Sequence, residues 1–324
     1  MANQNLLKTL AQCEYPAEFL VARLLGKKSA LFRNWDFFIT SQDRDQNLLN
    51  SPFSPYLKKH GIPGIWSFLY NEHFWVYSRM NPYLRRAFYP YFLYHELNTL
   101  VVCLRYLERR TETESVLKEL RHSLLNNDIQ NILTSSLAFT GMLQRLESRL
   151  RGKSDLFAGL SEKYDKKGIT GLEIYMRDCF FTFILSRKQP PMLKTFFQHL
   201  VDFHNCLSHA KTIRWQSETE PEVIPGGTIP DDRFKRAYFH NEMGPVLKFL
   251  HLEDTGGTAA DIQKLEISLL IFITRKLRNL SFQRTVAGDV LFYLWEQFRY
   301  TRNISMVLNT ALLDDATVRE KIVA

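Results

Sequence analysis

Glycine is scarce in this sequence, 14 of 324 residues, and runs of β-branched residues are few. Both shortages weigh against a strand-rich fold. Long apolar runs are missing too. The best candidate, Ile267 to Ile273, is flanked by Glu266 and Arg275, far short of the roughly 18–20 apolar residues that a membrane-crossing helix needs. Met1 to Gln12 is polar and lacks the apolar block of a secretory signal. The cysteines, Cys13, Cys103, Cys179 and Cys206, are widely spaced and form no CxxC pair. These absences predict a cytosolic chain with reduced thiols, whose contact with a membrane is peripheral or made through a partner.

The motifs of common catalytic and metal chemistry are absent as well. A P-loop needs Gly-x-x-x-x-Gly-Lys-Ser/Thr to cradle phosphates. The nearest approach, Gly26-Lys27-Lys28-Ser29, has Val21 in place of the first glycine and Lys28 in place of the hydroxyl. His95-Glu96 begins the zinc-protease pattern, but Thr99 stands where the second histidine is required. His204, Cys206 and His209 form the densest group of soft ligands. On a helix, however, His204 and Cys206 point about 200° apart. No Gly-x-Ser-x-Gly elbow occurs. The acid pairs Asp231-Asp232 and Asp314-Asp315 fit helix N-termini, where negative charge is favourable. The expectation is therefore a protein with no catalytic residues, no cofactor and no metal.

What is present is helical periodicity. Leu93, Leu97, Leu100, Leu104 and Leu107 recur at helical steps, as do Leu172, Tyr175, Met176, Cys179, Phe180, Phe183 and Ile184. Val290, Leu291, Leu294, Phe298, Ile304, Val307 and Leu308 form a third stripe. Breakers mark the joints: Ser51-Pro52, Ser54-Pro55, Gly61 with Pro63 and Gly64, and Gln189-Pro190-Pro191. Asn81-Pro82 predicts an N-cap followed by proline in the first turn. Ser217 to Thr228, with Pro221, Pro225, Gly226 and Gly227, is the best candidate linker. Gly256-Gly257-Thr258 is a smaller loop with Thr258 as a candidate cap. The net charge of +8 favours an acidic partner, an anionic surface or nucleic acid. Tyr77-Ser78-Arg79 with Tyr83-Leu84-Arg85-Arg86, and Arg233-Phe234-Lys235-Arg236 with Tyr238, carry the second reading, a helical nucleic-acid-binding protein. No helix-turn-helix or RNA-binding signature accompanies them.

One pattern recurs at domain-sized spacing. Asn98, Asn205 and Asn303 each sit within an apolar helical stripe near the end of a helical block. The repeat predicts three related helical domains, 1–110, 111–217 and 218–324. It also predicts an architectural role for each asparagine, hydrogen-bonded to a neighbouring helix end.

These segments resemble the C/d family of central-stalk connectors from V/A-type rotary ATPases. In that family each of three helical domains carries Asp/Glu-x-x-Asn-Leu followed by an apolar helix with a basic residue. Asp202-x-x-Asn205 with Arg214 is similar to the middle copy. Asn98 with Leu100 and Arg105 resembles the first, with His95 where an acid is usual and Glu96 one place later. Arg302-Asn303-Ile304, Ala311 to Asp315 and Val318 to Val323 resemble the closing helix and its terminal stub, and Leu291 to Glu296 the block before it. Phe19-Leu20-Val21-Ala22-Arg23 is similar to an early aromatic–Ala-Arg segment. The resemblance implies an all-α funnel of three bundles and a non-catalytic central-stalk role. Its partners would be the rotor shaft and the membrane proteolipid ring of an ATP-driven ion pump or ATP synthase. It would lie in the cytoplasm, held at the membrane through that complex.

Overall fold

The computed structural model describes residues 5–11, 15–29, 31, 35–40, 44–62, 64–109, 113–252, 261–309 and 314–323. Among them there is no strand, only an isolated antiparallel bridge between Leu7 and Leu125. The fold is all-α, as the periodicity predicts. In chain order the helices are α1 (Ala17–Lys28), α2 (Trp35–Thr40), α3 (Arg44–Leu49), α4 (Ser54–His60), α5 (Gly64–Arg79), α6 (Pro82–Glu108), α7 (Thr113–Leu120) and α8 (Asn127–Leu133). They continue with α9 (Phe139–Arg151), α10 (Leu160–Leu185), α11 (Pro191–Arg214), α12 (Asp231–Phe239), α13 (Gly244–Leu250), α14 (Ile262–Ser281), α15 (Val286–Asn309) and α16 (Asp315–Glu320). No described helix is long and apolar enough to cross a membrane. Cys13, the Gly256-Gly257-Thr258 loop and Ala311 to Leu313 lie outside the described residues.

The chain divides into two compact units. One comprises Met1–Tyr15 and Tyr70–Gln189, the other Pro16–Leu69 and Pro190–Ala324. The boundaries expected from the asparagine spacing, near 110 and 217, each fall inside a unit instead. Hydrogen bonding explains the difference. Early backbone joins the first unit, where Lys8 N donates to Leu124 O (2.7 Å) and Asn126 N to Leu6 O (2.9 Å). In the second unit the candidate linker after α11 is tied back onto α11, as detailed below.

In the first unit, α6 starts as its sequence demands. The Asn81 side chain accepts from Leu84 N at 2.9 Å, and Pro82 occupies the first turn. The stripe Leu93, Leu97, Leu100 and Leu104 is buried, and α6 packs on α7 and α10. α10 supplies Leu172, Met176, Cys179, Phe180, Phe183 and Ile184 as its buried face. That helix breaks at Gly168, whose φ of 64° is open to glycine at little cost.

In the second unit, α11 packs on α14, and α15 packs on α1 and α14. One core cluster joins Trp35, Phe38, Phe53 and Phe68 to Tyr300, Ile304 and Val307 of α15 and to Val318 and Ile322. Another gathers Cys206, Phe234, Val246, Leu250 and Leu265 around the end of α11. Each large apolar side chain buried in this way contributes about 1.5–3 kcal/mol of transfer free energy.

Candidate functional site

The recurring asparagines lead to a recurring clasp. Asn205, buried on α11, donates from Nδ2 to Ile224 O and accepts Ile224 N at Oδ1, both at 2.9 Å. Asn303, buried on α15, does the same to Val323: Nδ2 donates to the carbonyl at 2.9 Å and Oδ1 accepts the amide at 3.1 Å. The clasped residue lies 19 positions downstream in one case and 20 in the other. A side-chain amide carries donors and an acceptor, so it satisfies both polar groups of one backbone unit. Left buried and unpaired, each of those groups would cost about 1–3 kcal/mol.

Each clasp has a charged neighbour one turn away. Asp202 accepts Thr228 N at 2.9 Å, Ile229 N at 3.1 Å and Thr228 Oγ1 at 2.6 Å. The Gly227 backbone lies so close that a Cβ there would sit 2.3 Å from Asp202 Oδ1. Thus the proline- and glycine-rich stretch from Ser217 to Thr228 is not loose chain along its whole length. Its second half is an arm laced to α11. In the last copy, buried Arg299 donates to Val323 O at 2.8 Å and pairs with Glu296 at 3.1 and 2.9 Å. Val323 O therefore receives donors from both Arg299 and Asn303.

The first copy is built differently. Asn98 is exposed, and the clasp is made by Glu96, two residues earlier. Such residues point about 200° apart on a helix, so only one of them can face the core. Glu96 accepts Leu124 N at 2.7 Å and Ser123 Oγ at 2.5 Å. Burial pushes its carboxyl up to about 7, against the opposing pull of the Ser123 and Leu124 hydrogen bonds and of Lys8. Desolvation holds the adjacent His95 down at about 3; its ring lies 4.5 Å from His73 and 4.7 Å from Tyr91. Arg105 pairs with Glu173 of α10 through two hydrogen bonds. Arg214 is exposed in the last turn of α11, where a cation suits the helix dipole.

The sequence matches no protein-family model and no curated protein. The site is therefore read from its own geometry. The other candidates from the sequence have structural occupations. Gly26 to Lys28 close α1, with Ser29 Oγ donating to Gly26 O at 2.7 Å and Lys28 Nζ 4.0 Å from the Phe292 ring centroid. Buried His209 contacts Asn205 O through Nδ1 at 3.0 Å and packs on Phe234 at 4.7 Å. Among the described residues no three His, Cys, Asp or Glu side chains gather as a metal site requires. Asp231 and Asp232 lie in the first turn of α12, and Asp314 caps α16 by accepting Thr317 N at 2.9 Å. In the basic–aromatic segments, the Tyr77 and Phe234 rings are buried and offer no face for base stacking, whereas the Tyr83 ring is exposed. Arg236 pairs with Asp232, and Tyr238 Oη donates to Ser217 O at 3.3 Å.

What the clasps do physically is lock irregular backbone onto a long helix without adding a strand. The donors and acceptors of Asn205 and Asn303 are spent on main chain. The roles of Glu96, Arg299 and Gly227 are not visible in the motif spacing. The signals that point to them are a carboxylate inside an apolar stripe, an arginine within a buried helical block, and a Gly-Gly pair at a fixed distance from Asp202.

Proposed function

We propose that this chain is a non-catalytic coupling protein of the central-stalk type, joining the rotor shaft of a V/A-type ATPase to its membrane proteolipid ring. In that role it works in the cytoplasm, held at the membrane by the complex, and three related helical bundles form a funnel that receives the shaft. The observation that carries the reading is the pair of asparagine clasps. Asn205 and Asn303 perform one task at nearly identical sequence spacing, 19 and 20 residues, at the positions where the sequence resembles the family's repeated motif. A torque-transmitting connector needs stiffness rather than chemistry. Close-packed helices with buried aromatic faces resist compression, and the clasps extend that stiffness to loops that would otherwise yield. Of the rings in the basic–aromatic segments, Tyr77 and Phe234 are buried and Tyr83 is exposed, so the alternative, nucleic-acid binding through stacked rings, rests on Tyr83 in the first segment.

The test is to recover the tagged chain from its native membranes under conditions that keep rotary complexes intact, and to identify what accompanies it by mass spectrometry. Shaft and proteolipid-ring proteins are the expected companions. An intact ATPase recovered elsewhere in the preparation, with none of its components on the tagged chain, would overturn the proposal. Nucleic acid recovered in their place would favour the alternative.

A further inference from the structure

The first unit contains an open cavity of about 420 Å³. Its wall carries the cationic side chains Lys8, Arg85, Arg86, Lys153 and Arg187, and among the described residues no carboxylate lines it. Two of these cations are fixed by neutral partners. Arg85 donates to the carbonyls of Tyr77 (3.1 Å), Ser78 (2.8 Å), Leu10 (2.9 Å) and Ala11 (2.7 Å). Lys8 Nζ donates to Ser123 O at 2.8 Å. Carbonyl dipoles hold these side chains in place without cancelling their charge, so the field reaches the cavity.

The remaining cations are better placed for direct contact. Arg86 and Arg187 are exposed, and the Arg187 guanidinium is steadied 4.6 Å from the Phe183 ring centroid. Burial, and then the charges of Arg149 and Arg187, lower the affinity of Lys153 for its proton. An anion bound beside it would offset both effects. Tyr89 lines the same wall. Its oxygen accepts Leu6 N at 3.3 Å, and burial raises its phenol to about 12, so its own proton stays available to donate.

We propose that this cavity binds the clustered phosphates of a small oligoanion, either a free oligophosphate or a polyphosphorylated lipid headgroup. Arg86, Lys153 and Arg187 are the contacting groups, and Lys8 and Arg85 supply a fixed positive background. The volume falls within the range of small-molecule sites, and charge-assisted bonds to phosphate are the strong polar contacts in such a site. Buried Tyr77 offers no ring face, so recognition falls on phosphate rather than on a nucleobase. The proposal does not rest on the stalk reading, and a purified chain tests it alone.

Inorganic tripolyphosphate is titrated calorimetrically into the full-length protein at an ionic strength of about 0.15 M, where loose surface attraction is screened. Saturable binding at one site is expected. Arg86→Ala, Lys153→Ala and Arg187→Ala should each weaken it about tenfold, the scale of one lost charge-assisted bond. Lys118→Ala, which removes the same charge away from the cavity, should leave it unchanged. Melting curves confirm that each variant is folded, and three separate variants keep the test decisive if one is not. Flotation with vesicles containing phosphatidylinositol bisphosphate separates the sources. Capture that Arg187→Ala abolishes points to the headgroup, and tripolyphosphate binding without capture points to the free ligand. Absence of both, or equal weakening by Lys118→Ala, would overturn the proposal.

Discussion

At the recurring motif the second unit clasps backbone with amides, beside which Asp202 adds a carboxylate, whereas the first unit uses a carboxylate alone. Asn205 and Asn303 each give one donor and one acceptor to a single residue, Ile224 or Val323. Glu96 can only accept when ionised, so it takes an amide from Leu124 and a hydroxyl from Ser123. The amide clasp is indifferent to pH. The carboxylate clasp carries a buried charge and must either hold its proton or bear the desolvation cost. One mechanical task thus has two chemistries, and of the clasping residues Asn205, Asn303 and Glu96 only Glu96 carries a proton to lose.

The comparison breaks most visibly at the asparagines. Asn205→Leu strands two buried backbone groups and should lower stability by about 2–6 kcal/mol; Asn303→Leu strands only Val323 N, because Arg299 still donates to Val323 O, and should cost about 1–3 kcal/mol. Urea unfolding measures this, and a loss below about 1 kcal/mol would mean that the clasp is incidental. Glu96→Gln sharpens the contrast. The folded Glu96 keeps its proton to about pH 7, whereas the ordinary carboxyl releases it near 4.5. Between these values the folded state binds more protons, so this group's contribution to stability falls as pH rises through the window. Against wild type, the glutamine variant should therefore gain on the order of 2–3 kcal/mol from pH 4.5 to pH 7, then level off. A pH-independent difference between the two proteins would contradict the assignment.

His95 acts at the other end of the scale. Its ordinary value is 6.5 and its folded value about 3, so its contribution is lost as pH falls from 6.5 toward 3. Nuclear magnetic resonance should find the His95 ring neutral at pH 5; titration near 6.5 would refute its desolvation. The smallest effect belongs to Asn98. Exposed on α6, it should tolerate alanine within about 0.5 kcal/mol, as chemical denaturation would show.

The helices are legible in the sequence because burial in them follows spacing. The leucines of α6 and the aromatic face of α10 lie where a helical period puts them. The clasping asparagines of α11 and α15 are legible as residues, since a polar group inside an apolar stripe calls for a partner. Their partners are not, because Ile224 and Val323 contribute backbone atoms that every residue has. Glu96 escapes the pattern for a related reason. A motif weighs residue type, which favours Asn98, while helical phase decides which side chain meets the core. The arm after α11 reads as a linker because proline and glycine usually mark loose chain. Here they permit a path in which Gly227 passes close to Asp202. The unit boundaries depend on contacts such as Lys8 with Leu124, which no local feature announces.

Gly227 and Asp202 impose an order on change. Because any Cβ at 227 would meet the carboxylate of Asp202 at 2.3 Å, substitution at the glycine is barred while the aspartate remains. Reduce the aspartate first and the severest contact at 227 is gone, leaving Val201 Cγ1 at 3.2 Å; attempt the reverse and the route crosses a clashing intermediate. Descendants of this sequence that change position 227 would then carry a change at 202 as well, so that variation at one position is conditional on the other, far away along the chain.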